Sequence, residues 1–131
     1  MYEFQGFTEK ANNSLNLAIN IAGSLGHTYI GSEHILMGLL SENSSMAYNI
    51  LSDFEVTSEK IQKIVIDSIG KGNLTHVTVG NFTPKSRKIL EDAIIIAAKF
   101  HHKKVGTEHL LLSMIEEDDN YAIKFLKELR V

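Results

Sequence analysis

Residues able to do chemistry occur in this chain in pairs, 75 positions apart. Thr8 and Thr83 stand just ahead of two apolar-periodic stretches, and Glu33 and Glu108 each follow a Gly-Ser or Gly-Thr step and precede a histidine, His34 or His109. His27 and His102 lie shortly before them. A threonine at a helix start accepts a bond from a backbone N–H, and a glutamate in a first turn complements the helix dipole. Capping alone therefore accounts for both pairs. His34 and His109, directly after each glutamate, read as packed, hydrogen-bonded side chains facing the core. A metal site from His27, Glu33 and His34 is rejected, because no recognised ligand spacing is present and adjacent helical residues diverge by about 100°. There is no Ser-His-Asp order, no glycine-rich phosphate loop and no paired catalytic carboxylate, so the chain reads as a non-catalytic binding module.

The pairs belong to a longer repetition. Phe7–Val56 aligns with Phe82–Val131 without a gap, and 17 of the 50 pairs are identical, where composition alone would give roughly three. One supersecondary unit is built twice, and a surface site carried by it is expected twice. In the first unit Ala11, Leu15, Ala18, Ile19, Ala22 and Leu25 form a helical stripe, matched by Leu90, Ala93, Ile94, Ala97 and Phe100. Thr8 and Thr83 are placed as N-caps, with Pro84 in the first turn. A second helix opens at Ser32, read as another cap, and buries Ile35, Leu36, Leu39 and Leu40, mirrored by Leu110, Leu111, Met114 and Ile115. A third carries Met46, Ala47, Ile50 and Leu51, matched by Tyr121, Ala122, Phe125 and Leu126. Met37, Met46 and Met114 read as core filler.

A fourth helix is expected only in the first unit, capped by Thr57 or Ser58, with Ile61, Ile64, Val65, Ser68 and Ile69 on its stripe. Thr75–Val79 alternates like a strand but has nothing to pair with, so it reads as loop. The expected fold is all-α: seven helices in two pseudo-twofold-related repeats of a four-helix unit, the second one helix short, packed as one domain 1–131. Repeat one covers 7–70, the connector 71–81 and repeat two 82–131. The stop at Val131, where a further helix is due, suggests a fragment of a longer polypeptide.

Composition narrows the function classes. Of 131 residues, 44% are hydrophobic and 22% charged, as in an ordinary globular domain. Zero cysteines exclude disulfides and thiolate metal sites. A net charge of −3 argues against a nucleic-acid binder; the Lys103-Lys104 cluster is short and reads as a solvated turn. No apolar run approaches a membrane span and no basic n-region leads the chain, so the expected setting is cytoplasmic, with no membrane partner.

The stretch Gly26-His27-Thr28-Tyr29-Ile30-Gly31-Ser32-Glu33-His34-Ile35-Leu36 and its copy His101-His102-Lys103-Lys104-Val105-Gly106-Thr107-Glu108-His109-Leu110-Leu111, each preceded by Phe-Thr-x-Lys, resemble the two halves of the Clp N-terminal repeat domain of Hsp100 AAA+ unfoldases. The likeness covers nearly the whole chain and is strongest toward the ClpC type. It implies a domain that receives protein substrates and adaptor proteins ahead of two ATPase modules, in a parent that feeds the ClpP peptidase. That parent would be a hexamer using ATP and Mg, whereas the isolated domain would be a monomer without a cofactor. A ClpB-type disaggregase, or a free-standing adaptor of the same fold, is the alternative. In ClpC-like members the domain recognises phosphoarginine through the N-terminal threonine and turn glutamate of each repeat. Carried over, these are Thr8 with Glu33 and Thr83 with Glu108. A helix N-terminus suits a phosphoryl group, and a carboxylate suits a guanidinium. Lys103-Lys104 stands where the first unit has Thr28-Tyr29, so added cations are expected near the second pocket.

Overall fold

Thr8 and Thr83 both start helices by the same device. In the computed structural model, which describes residues 1–131, the Thr8 hydroxyl accepts from the Ala11 N–H at 3.1 Å and the Thr83 hydroxyl from the Ser86 N–H at 3.1 Å. The helices they open are α1 (Glu9–Ser24) and α5 (Pro84–Lys99). After α1 come α2 (Ser32–Ser41), α3 (Met46–Asp53) and α4 (Ser58–Ser68), the last capped by Thr57. After α5 come α6 (Thr107–Glu117) and α7 (Tyr121–Glu128). The fold is all-α, with the seven expected helices; Thr75–Val79 forms no strand, and a single 3-10 turn follows at Val79–Asn81.

Within each unit the first two helices cross closely. At Gly38 of α2 an added Cβ would overlap the Ser14 carbonyl of α1, so the backbones can approach only because that residue is glycine. The repeat-related position is Ser113, whose hydroxyl instead donates to the Ile89 carbonyl at 2.7 Å. One contact is thus solved by absence of a side chain and the other by a hydrogen bond.

Between the units, two short parallel bridges tie the entry segment of each to the turn of the other. Thr8 donates to Val105 (2.8 Å) and Val105 to Gly6 (2.9 Å); Ile30 donates to Asn81 (2.9 Å) and Thr83 to Ile30 (3.0 Å). Phe7, Ile30, Phe82 and Val105 sit at these crossings, buried in one continuous core. Three further bonds run between the units: Ala122 N–H to Ser32 Oγ (3.0 Å), Ala47 N–H to Thr107 Oγ1 (3.2 Å) and Ser86 Oγ to the Ile30 carbonyl (2.8 Å).

Several expectations need correction. The N-cap of α2 is Gly31; Ser32 is the first helical residue and its hydroxyl serves α7 of the other unit. The buried stripe of α5 runs through Ser86, Ile89, Ala93, Ile96 and Ala97, which turns Ile94 and Phe100 outward, 50% and 57% exposed. Met46 is 55% exposed and is not core, unlike Met37 and Met114. Ile50, Phe54 and Ile115 are also exposed. Their repeat partners Phe125 and Leu40 are buried and Leu129 half-buried, on the side of α2 and α7 where α4 packs. The second unit has no helix in the place of α4.

Candidate functional site

Each glutamate of the repeated motif bends back over the glycine two residues before it. At Gly31 and at Gly106 an added Cβ would overlap Oε1 of Glu33 and of Glu108 respectively. Both glycines have extended backbone, with φ of −99° and −100°, so space rather than conformation requires them. The carboxylate is thereby held at the mouth of its helix.

The histidine that follows fixes the turn. Gly31 N–H donates to His34 Nδ1 at 2.9 Å, which leaves the proton on Nε2 to donate to His27 Nδ1 at 2.7 Å; His27 then donates from Nε2 to the Gly70 carbonyl at 2.8 Å. The second unit repeats the first two bonds, Gly106 to His109 at 2.8 Å and His109 to His102 at 2.7 Å. Burial, with His27 beside it, pulls the His34 pKa down to about 3, and burial also lowers that of His109. These imidazoles are neutral structural parts of the turn, as the sequence indicated, and they face the core.

The threonines and glutamates meet across the two units. One pocket, a cavity of about 820 Å³, is lined by Thr83, Lys85, Glu33, Tyr29, Tyr121 and Lys124, among others. The other, about 680 Å³, is lined by Thr8, Lys10, Glu108, Glu42, Met46 and Asn49, among others. The expected pairing of Thr8 with Glu33 and of Thr83 with Glu108 is therefore corrected: Thr83 shares a pocket with Glu33, and Thr8 with Glu108. The parallel bridges are the cause, since they seat each threonine beside the other unit's Gly-Ser/Thr-Glu turn. Three helix N-termini converge on each pocket, those of α5, α7 and α2 on one and of α1, α3 and α6 on the other.

Charged side chains frame both. Lys10 donates to the Ser44 carbonyl at 2.7 Å and Lys85 to the Asp119 carbonyl at 2.6 Å, equivalent positions of the repeat. Glu33 is fully buried; its Oε2 accepts from the Tyr29 hydroxyl at 3.2 Å, and Oε1 is enclosed without a partner. Burial raises its pKa. Glu108 is partly exposed. Lys103 and Lys104 are exposed and line neither pocket, contrary to expectation. The Tyr29–Glu33 contact was missed in the sequence, although its four-residue spacing beside a first-turn carboxylate was a usable signal. No cluster of three or more His, Cys, Asp or Glu side chains is arranged to hold a metal ion, and no helix is long and apolar enough to cross a membrane.

Residues 6–129 match the Clp repeat (R) N-terminal domain family. The chain is 42% identical over 128 residues to the negative regulator of genetic competence ClpC/MecB of Bacillus subtilis, covering 98% of this chain and 16% of that protein. It is 37% identical over 126 residues to the ATP-dependent Clp protease ATP-binding subunit ClpC of Staphylococcus aureus, covering 96% and 15%. The chain thus spans about a sixth of the length of these curated relatives. Among solved structures, the N-terminal domain of ClpD from Arabidopsis thaliana superposes with a TM-score of 0.80 at 21% identity, covering 98% of this chain and 90% of that one. The N-domain of ClpV in complex with a VipB peptide gives 0.74 at 15% identity, covering 95% and 76%. With its doubled Gly-Ser/Thr-Glu-His turn, its all-helical paired units and this match along nearly its whole length, the chain belongs to the Clp N-terminal repeat domain family, in the company of ClpC.

Proposed function

We propose that this domain is the receptor module of a ClpC-type ATPase chain, taking in protein substrates and adaptors for a ClpP-type peptidase, and that its two inter-unit pockets each accept a phosphoarginine side chain. The observation that carries this reading is the doubled pairing of opposite chemistries in one cavity. Each pocket sets a threonine-capped helix N-terminus against a carboxylate donated by the other unit. The N-terminus, with its partial positive charge and the N–H groups its cap leaves free (Glu9 and Lys10 in α1, Lys85 in α5, where Pro84 has none), favours the phosphoryl end of the ligand. The carboxylate favours the guanidinium end through charge-assisted bonds. Neither half alone selects phosphoarginine: an unmodified arginine lacks the anion, and a phosphoserine lacks the planar cation.

Several facts support the wider assignment. The identities of 42% and 37% are to ClpC chains, and the related ClpV N-domain was solved with a bound peptide. ATP and Mg would belong to ATPase modules of the parent, and the domain itself would act by binding.

Calorimetry with free phosphoarginine tests the pockets. The unaltered domain should bind two equivalents, Glu33→Ala or Glu108→Ala should leave one site, and the double variant should bind none while retaining its helical circular dichroism. A folded double variant that still binds two equivalents would overturn the reading. Unmodified arginine should bind far more weakly.

A further inference from the structure

Tyr29 and Lys104 occupy the same place in the repeat, four residues before the two glutamates, and there the symmetry of the pockets ends. The Tyr29 ring lies parallel to His27, 3° between planes at 5.7 Å, and edge-on to His34 at 5.2 Å. So braced, its hydroxyl holds Glu33 Oε2 at 3.2 Å. Lys104 is exposed, and its ammonium forms no ion pair with Glu108. Glu33 is consequently closed away, with Oε2 occupied and Oε1 enclosed and unpartnered. Glu108 is partly exposed and receives no side-chain hydrogen bond.

We infer that Tyr29 makes the two phosphoarginine pockets unequal, holding Glu33 closed to the guanidinium and leaving the Glu108–Thr8 pocket as the tighter site. The inference rests on the function proposed above. A guanidinium binds a carboxylate best as a fork that uses both oxygens. Glu108 is partly exposed, whereas Glu33, fully buried, offers neither oxygen until Tyr29 swings out and gives up its hydrogen bond and ring contacts. Losing a hydrogen bond to a charged group corresponds to about tenfold or more in affinity. A charge effect opposes this: besides Glu33 and Glu108 themselves, Glu9, Glu42 and Lys10 line the Glu108 pocket, while Lys85, Lys124, Lys127, Asp118 and Asp119 line the other, which leaves the first the more negative. Exposed charges of this kind change an affinity by about fivefold or less and are screened by salt, so the buried contact decides the order.

Titration of the full domain with free phosphoarginine at physiological salt should resolve two sites about tenfold or more apart. Glu108→Gln should abolish the tighter site and Glu33→Gln the weaker one. Tyr29→Lys should tighten the weak site toward the strong one, and Lys104→Tyr should weaken the strong site. The chain has four tyrosines and no tryptophan, so tyrosine emission gives a second readout, changing mainly as the weaker site fills and Tyr29 leaves the carboxylate. Two equal sites in the unaltered domain, or loss of the tighter site in Glu33→Gln, would overturn the inference while leaving the functional reading in place. No binding at either site would overturn that reading, and the inference with it. Because the unaltered domain alone decides between equal and unequal sites, a variant that failed to fold would not rescue the idea.

Discussion

At the scale of single residues, the cross-unit geometry makes a prediction that an intra-unit geometry reverses. Thr83 and Glu33 line one pocket and Thr8 and Glu108 the other. Removing a partner of a charged ligand costs about 1.5–3 kcal/mol, so each single change should silence its own site. Glu33→Ala combined with Thr83→Ala should therefore leave one intact phosphoarginine site, whereas Glu33→Ala with Thr8→Ala should leave none. Calorimetric stoichiometry reads the difference, and the opposite pattern would restore the pairing within each unit. The threonines and glutamates that line these two pockets were visible in the sequence, because the doubled motif marks them. Their partnership was not: an offset of 75 is satisfied equally whether a threonine meets the glutamate of its own copy or of the other. Only the bonds of Thr8 with Val105 and Thr83 with Ile30 decide it. The histidines add a pH effect. The unfolded chain takes up a proton at His34 near its ordinary pKa of about 6.5, and the folded domain only near 3. His34 therefore contributes stability in full above pH 6.5, and this is lost at about 1.4 kcal/mol per pH unit as the pH falls toward 3. His109 acts in the same direction, while Glu33, with its pKa raised by burial, opposes both. Glutamine at this third helical position can still accept from the preceding glycine N–H, so His34→Gln should flatten the fall measured by urea denaturation between pH 6.5 and 5. An unchanged slope would place the titration elsewhere.

At the scale of elements, equivalent crossings are built by unlike means, and substitutions should separate them. A methyl group at Gly38 would meet the Ser14 carbonyl, a backbone atom that cannot rotate away, so Gly38→Ala should cost about 1–3 kcal/mol. Ser113→Ala at the matching crossing loses one hydrogen bond to Ile89 and should cost only about 0.5–1.5 kcal/mol. Denaturant midpoints compare the two, and a neutral Gly38→Ala would mean that α1 and α2 pack less tightly than their geometry indicates. The helices themselves were readable, since period, caps and the Pro84 start all agreed. The phase of α5 was not, because Ile94-Ile95-Ile96 offers an apolar residue to three faces at once, and of these only Ile96 is buried. Ser32 was misread for a related reason. A serine at a helix start suits a local cap, yet here the glycine before it takes that place and the hydroxyl is free to hold Ala122 of the other unit.

At the scale of the whole molecule, the two copies are joined through one continuous core. Phe7, Ile30, Phe82 and Val105 share a single core at the crossing points, and four backbone bonds plus those of Ser32, Thr107 and Ser86 run from unit to unit. A unit alone would hold about 60 residues, a length at which burial is marginal, and separation would expose the core residues at the crossing points. The intact domain should accordingly melt in a single transition, with calorimetric and van't Hoff enthalpies equal. If the pockets take phosphoarginine as proposed, the ligand should raise the melting temperature as its concentration passes the dissociation constants. Residues 1–75 and 76–131 produced as separate chains should each fail to fold cooperatively and bind no phosphoarginine, because each pocket lacks either its threonine or its glutamate. Mixed in equal amounts, they should regain helical structure and two binding sites together, since neither pocket can form without the other unit's turn. A single half that folds and binds one equivalent would show that a pocket can be completed within one unit, and would remove the physical basis for pairing Thr8 with Glu108 and Thr83 with Glu33.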